Sequence, residues 1–123
     1  MKVFVYWNLH RKLWSIKALE GPQKGLVIDR AAFVHLQGVT PKVSQKGRER
    51  VLRERKKNVH AGLTGTLLPE GSPMPRPCSN DDMITYNPYK GPTFTYKQTG
   101  GEYVGSTDAV LLACVDHPEV FVC

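Results

Sequence analysis

The chemistry this chain could do is concentrated in one short run. From Lys46 to Lys57 there are seven bases (Lys46, Arg48, Arg50, Arg53, Arg55, Lys56 and Lys57) against two acids (Glu49 and Glu54), so nearly all of the formal net charge of +6 sits in twelve residues. A focused positive field concentrates anions and is the usual footprint of a nucleotide or nucleic-acid partner. The plainer reading is the solvated face of a helix. At about 100° per residue, Val51 and Leu52 flank Arg48 and Arg55 on one side, where the guanidinium heads would need acidic or carbonyl partners. Arg50, Arg53 and Lys57 fall on the other side at i, i+3 and i+7. Like charges stacked there repel, with nothing within the helix expected to offset them. That stripe is the candidate for a second anionic site on the axis of a symmetric oligomer.

Three further groups of residues suit a ligand with bases and phosphates. Trp14 lies close to the basic turn His10–Arg11–Lys12, and is either core or a stacking platform for a nucleobase. In Tyr86-Asn87-Pro88-Tyr89-Lys90, Pro88 holds Asn87 out of helical geometry, so an amide, two phenols and an ammonium crowd one turn. Asn87 could read a base edge or a ribose hydroxyl and Lys90 could meet phosphate, unless the turn was selected for its backbone alone. Third, the basic run leads directly into Asn58 and His60 at the start of the next element.

Catalytic patterns are not found. The sequence has no phosphate-cradling glycine loop ahead of a helix, no paired metal-binding histidines and no nucleophile elbow, so neither a catalytic residue nor a metal or cofactor is expected. His10, His35, His60 and His117 stand in four different segments, and Cys78, Cys114 and Cys123 share no zinc or redox spacing. The cysteines are expected to be free thiols of a reducing cytoplasm. Basic charge with histidine leaves a nucleic-acid-binding protein or a nuclease as the alternative class.

The elements that must position these residues follow from length and patterning. A chain of 123 residues, 41% hydrophobic and 23% charged, supports one core, so residues 1–123 are expected to form a single domain. No stretch approaches the roughly 18 apolar residues of a membrane helix, and no secretory signal pattern opens the chain, which predicts a protein that stays where it is made. Strict alternation over Lys2–Leu9 and Leu13–Leu19 predicts a hairpin, and Leu26–Ile28 and Ala32–Val39 add two strands to a meander ending before Pro41. Ser44 is placed to cap a helix over Gln45–Lys57. Strands are predicted again at Val59–Leu68, Met83–Tyr86, Thr93–Lys97, Glu102–Val104, Ala109–Val115 and Glu119–Val122, with an exposed proline-rich loop at Pro69–Asp82. The expected class is α+β, a mostly antiparallel sheet packed with one basic helix.

In VFVYWNLHRKLWSIKALEG near the amino terminus, RVLRERKKNVHAG at the exit of the helix and TYNPYK in the turn, the sequence resembles the phage Thoeris anti-defence proteins of the first described type. The resemblance spans most of the chain but leaves out the proline-rich loop and the cysteine-ending tail. It implies a sponge in the host bacterial cytoplasm that sequesters cyclic ADP-ribose isomers made by bacterial TIR enzymes and does not cleave them. It implies, in some members, a second site for cyclic di- or trinucleotides, and dimers associating into hexamers with pockets at subunit contacts. The family's binding aromatic and asparagine map to Trp14 and Asn87, and its basic contact for cyclic oligonucleotides maps to the Arg53 or Lys57 region; Tyr86, Tyr89, Lys90, His60 and Arg50, singled out from the residues themselves, complete the candidate ligand-binding set. A further arginine of the family's late loop has no counterpart in Gly105–Val110.

Overall fold

A computed structural model of the chain describes residues 1–69, 71–72, 80–114 and 117–123; most of the stretch expected as a proline-rich loop, with Cys78, lies outside them. The described residues form nine strands and one α-helix: β1 (Lys2–Asn8), β2 (Leu13–Ala18), β3 (Val27–Ala31), β4 (Phe33–Val43), α1 (Gln45–Glu54), β5 (Ala61–Leu67), β6 (Met83–Thr85), β7 (Thr95–Tyr96), β8 (Ser106–Cys114) and β9 (His117–Val122), with a single 3-10 turn at Asn80–Asp82. All pairings are antiparallel, in one sheet of order β3-β2-β1-β5-β4-β8-β9-β6-β7. The chain is therefore α+β and mostly antiparallel sheet, as its patterning predicts.

The predicted meander holds for β1, β2 and β3 but not for β4. β3 lies at one end of the sheet while β4 lies between β5 and β8, yet Ala32 alone separates them. One residue spans less than about 4 Å. The sheet must therefore roll until its first edge reaches β4, and accordingly β2 lies against β8 and the Ala113 N–H donates to the Ala32 carbonyl at 2.8 Å. Alternation cannot reveal this, because it reports which face a residue occupies and not which neighbour its strand takes. Pro41 also fails to end its strand. Pairing of β4 with β8 stops at Val39, so at Pro41 β4 is flanked only by β5 and the missing N–H costs no ladder bond on that open side.

Rolling creates one concave apolar face. Val3 and Val5 of β1, Trp14, Ile16 and Ala18 of β2, Leu63 of β5, Val34 and Leu36 of β4, Ala109 and Leu111 of β8 and Val120 and Val122 of β9 are all buried on it. Leu63 opposes Val5, and Ile16 opposes Val5 from the other side, so one layer of the core spans three neighbouring strands. At about 25 cal/mol per Å² of apolar surface removed from water, this face is the main source of stability. Strand β8 starts earlier than its pattern suggests, at Ser106, and the predicted strand at Glu102–Val104 reduces to a single bridge, Thr95 to Glu102.

Helix α1 begins as expected and ends early. Ser44 caps it, its hydroxyl accepting the Gly47 N–H at 3.2 Å, and Val51 is its buried residue. Arg55 is left-handed (φ 59°, ψ 30°) and gives its N–H to Val51, which closes the helix at Glu54 and turns Lys56–His60 away as irregular backbone. The predicted stripe of Arg50, Arg53 and Lys57 is thereby broken. The Arg50 Nε donates to the Glu54 carboxylate at 2.7 Å and an Arg53 Nη lies 3.9 Å from the same group, so the helix itself offsets the charge expected to go unopposed. Arg55 likewise sits at the cap and not on the core-facing arc.

A candidate nucleotide pocket at the open end of the rolled sheet

A cavity of about 570 Å³ opens between the β1–β2 hairpin, the segment from Lys57 to Leu63, and the turn from β6 to Phe94. Each wall follows from local sequence. Trp7 and Trp14 are directly opposed in the hairpin and meet edge to face, ring centroids 5.2 Å apart. Asn8 fixes the tip beside them: its side-chain oxygen accepts the His10 and Arg11 N–H groups, each at 3.0 Å, and its amide donates to the Ser15 hydroxyl. Trp14 is 6% exposed and belongs to the core, and it also lines the cavity. Its indole N–H is buried and, among the described residues, has no acceptor. That is an orphan donor of the kind folded proteins rarely retain.

Across the cavity, the Tyr86–Gly91 turn is built by Asn87. Its side-chain oxygen accepts the Tyr89 N–H at 2.9 Å and its carbonyl accepts those of Lys90 and Gly91. Arg48 reaches over from α1 and donates through Nε to the Pro88 and Gly91 carbonyls at 3.0 and 3.1 Å, while the Gln45 amide donates to the Pro92 carbonyl. The arginine expected to need carbonyl partners has found them. Tyr86 packs on Phe94 and on His60, centroids 5.3 Å apart in both cases. The Tyr86 hydroxyl lies 2.6 Å from His60 Nε2, and His60 Nδ1 lies 2.8 Å from the Asn58 side-chain oxygen. Burial raises the Tyr86 pKa above the ordinary phenol value, with Arg48 pulling the other way.

Of the nine residues singled out from sequence, Trp14, Lys57, His60, Tyr86, Asn87 and Tyr89 line this one cavity, whereas Arg50, Arg53 and Lys90 do not. Lys57 corrects the expected layout most. Freed from the helix by the early cap, it lines the same cavity as Trp14 and Asn87, which Arg53 does not. Among the described residues it is the one cation on the cavity wall. Asn58, noted in the sequence beside His60, lines the cavity too, whereas the sequence reading missed Trp7 and Phe94. Trp7 could have been found, since alternation already put it on the face of Val3 and Val5; Phe94 required the tertiary roll.

A second feature lay beyond sequence reading. His35 and Asp108 are 3% and 2% exposed and their side chains meet at 2.8 Å, a buried pair bringing β4 and β8 together across 73 residues. Neither lines the cavity. Cys114 is a free thiol whose pKa is raised by its hydrogen bond to Glu119, but Cys123 is disulfide-bonded, which corrects the expectation of free thiols throughout and removes the cysteine argument for a reducing compartment. Among the described residues no cluster of three His, Cys, Asp or Glu could hold a metal, and no helix is long and apolar enough to cross a membrane.

Comparison with known proteins places the chain. A family profile described as Mycobacterium phage L5 gene 82 protein matches residues 1–116. The gene 82 protein of Mycobacterium phage L5 is 42% identical over 119 residues, covering 92% of this chain and 90% of that protein. No solved structure matches. A profile match over nearly the whole chain, together with that degree of identity, means that the chain belongs to the Mycobacterium phage L5 gene 82 protein family.

Proposed function

We propose that this protein is a phage-encoded sponge that binds cyclic ADP-ribose-type immune signals in the host cytoplasm and sequesters them without cleaving them. The observation that carries the reading is convergence: six of the nine residues chosen for stacking, base reading and anion contact line one cavity of about 570 Å³. That volume falls within the range of about 300–1,000 Å³ common for small-molecule pockets. The wall supplies what a nucleotide needs: the Trp7–Trp14 pair and Tyr86–Phe94 for aromatic contact, Lys57 for a phosphate, and the polar groups of Asn58, His60 and Asn87 for orientation. Sequestration requires affinity alone, and a homo-oligomer, dimer or hexamer, would bury the open end of the cavity against a neighbouring copy.

The test is retrieval. The protein is mixed with a panel of cyclic ADP-ribose isomers and cyclic di- and trinucleotides, freed of excess ligand, heat-denatured, and the released compound identified by chromatography. Recovery of an intact cyclic ADP-ribose isomer is expected. A linear product would make the protein an enzyme, and retention of a cyclic di- or trinucleotide alone would overturn the assignment to cyclic ADP-ribose.

A further inference from the structure

We infer that Asn58 and His60 fix the hydrogen-bond polarity of Tyr86, so that its phenol oxygen offers only lone pairs to the cavity and selects a ligand bringing an N–H donor there. This rests on the cavity being the nucleotide pocket, and it names the feature that pocket reads: the exocyclic amine of an adenine in preference to the ring carbonyl of a hypoxanthine or guanine.

The argument starts at a group whose role cannot be reversed. The Gly47 carbonyl of α1 only accepts, and the Asn58 side chain meets it at 3.3 Å, which makes the facing atom the Asn58 amide nitrogen. The Asn58 side-chain oxygen is then the atom turned to His60 Nδ1, at 2.8 Å, and the Asn58 backbone carbonyl stands 3.2 Å from the same nitrogen. Two acceptors around Nδ1 put the imidazole proton there. In the neutral ring Nε2 is left with a lone pair, and the Tyr86 hydroxyl, 2.6 Å away, donates to it. Burial favours the protonated phenol, so that O–H is available to give. The chain of donors runs from Tyr86 through His60 and Asn58 to a helix backbone carbonyl, which leaves the Tyr86 oxygen as an acceptor, and Tyr86 and His60 both line the cavity. Glycine at position 47 leaves room for this approach, since a Cβ there would collide with the His60 side chain.

The experiment titrates an adenine-bearing cyclic ADP-ribose isomer and its hypoxanthine analogue, whose 6-amino donor is replaced by a 6-oxo acceptor, into the full-length protein. It is run by calorimetry at pH 8, above the ordinary histidine range. The wild type is expected to prefer the adenine form about tenfold, the worth of one well-placed hydrogen bond. Tyr86→Phe keeps the ring and should bring the ratio near one. His60→Ala frees the phenol to donate and should shift the ratio toward the hypoxanthine form, whereas a merely structural loss would weaken both ligands alike. Nitrogen-15 spectra of the unliganded protein should show His60 protonated at Nδ1. Equal binding of both ligands by the wild type, a ratio that survives Tyr86→Phe, or an Nε2–H tautomer overturns the inference while leaving the sponge standing. Failure of both ligands to bind overturns the sponge reading and this inference together.

Discussion

Trp14 belongs to the core and also lines the cavity, and single substitutions can separate its packing from its proposed stacking role. Its burial within the core means that Trp14→Ala leaves a cavity and should cost about 3–5 kcal/mol of stability. Its place on the pocket wall means a stacking loss of about 1–3 kcal/mol in ligand affinity. Trp14→Phe retains most of the apolar volume, so thermal unfolding should shift little while calorimetry shows weaker binding; unchanged affinity would make Trp14 a core residue only. The buried polar groups give predictions independent of any ligand. Asp108→Ala strands the buried His35 ring without its hydrogen-bond partner, which should cost about 1–3 kcal/mol in chemical denaturation. Tyr103 is fully buried, and desolvation, offset in part by the hydrogen bond to Ser106, pushes its pKa up to about 12. A raised pKa means the folded state holds its proton longer than the unfolded chain, so this contribution is complete below pH 10 and is lost as pH rises through about 12. Tyr103→Phe should flatten the alkaline limb of the stability profile between those values.

Among the elements, α1 matters through what it reaches. Arg48 alone joins it to two carbonyls of the Tyr86–Gly91 turn, and charge-assisted hydrogen bonds are worth about 1.5–3 kcal/mol. Arg48→Ala should leave the sheet intact, speed amide exchange in the turn, and weaken ligand binding without touching the ligand; unaltered exchange would show that Asn87 holds the turn unaided. How much of this was legible differs from element to element. Ser44 as the cap, the inward faces of β1 and β2, and the need of Arg48 for carbonyl partners all follow from local rules of spacing and satisfaction, and the structure agrees with each. The helix end did not follow, because a non-glycine left-handed cap at Arg55 has no local signature among seven helix-favouring bases. The place of β4 also did not follow, because strand order is settled by how the whole sheet rolls. These two errors had unequal consequences. The misplaced strand left the site reading untouched, whereas the overlong helix carried Lys57 away from the pocket it lines.

At the scale of the whole molecule, the charge is less concentrated in its effect than in its sequence. Arg50 and Arg53 share Glu54 on an exposed face, with side chains 66% and 72% exposed, while Lys57 stands alone on the cavity wall among the described residues. The two function classes then predict different responses to salt. A clamp on nucleic acid making six or more phosphate contacts loses about a thousandfold or more in affinity between 50 and 200 mM salt, because each contact releases counterions. A pocket holding one small ligand against a single lysine, with aromatic contacts that salt does not screen, should lose less than about tenfold over the same range. Lys57→Ala should lower affinity for a cyclic ADP-ribose isomer several-fold and flatten what slope there is. The double substitution of Arg50 and Arg53 by Ala should leave both affinity and slope as they were, since neither side chain lines the cavity. A steep slope abolished by the double substitution and indifferent to Lys57 would return the protein to the nucleic-acid-binding class, with the helix face, and not the pocket, as its working surface.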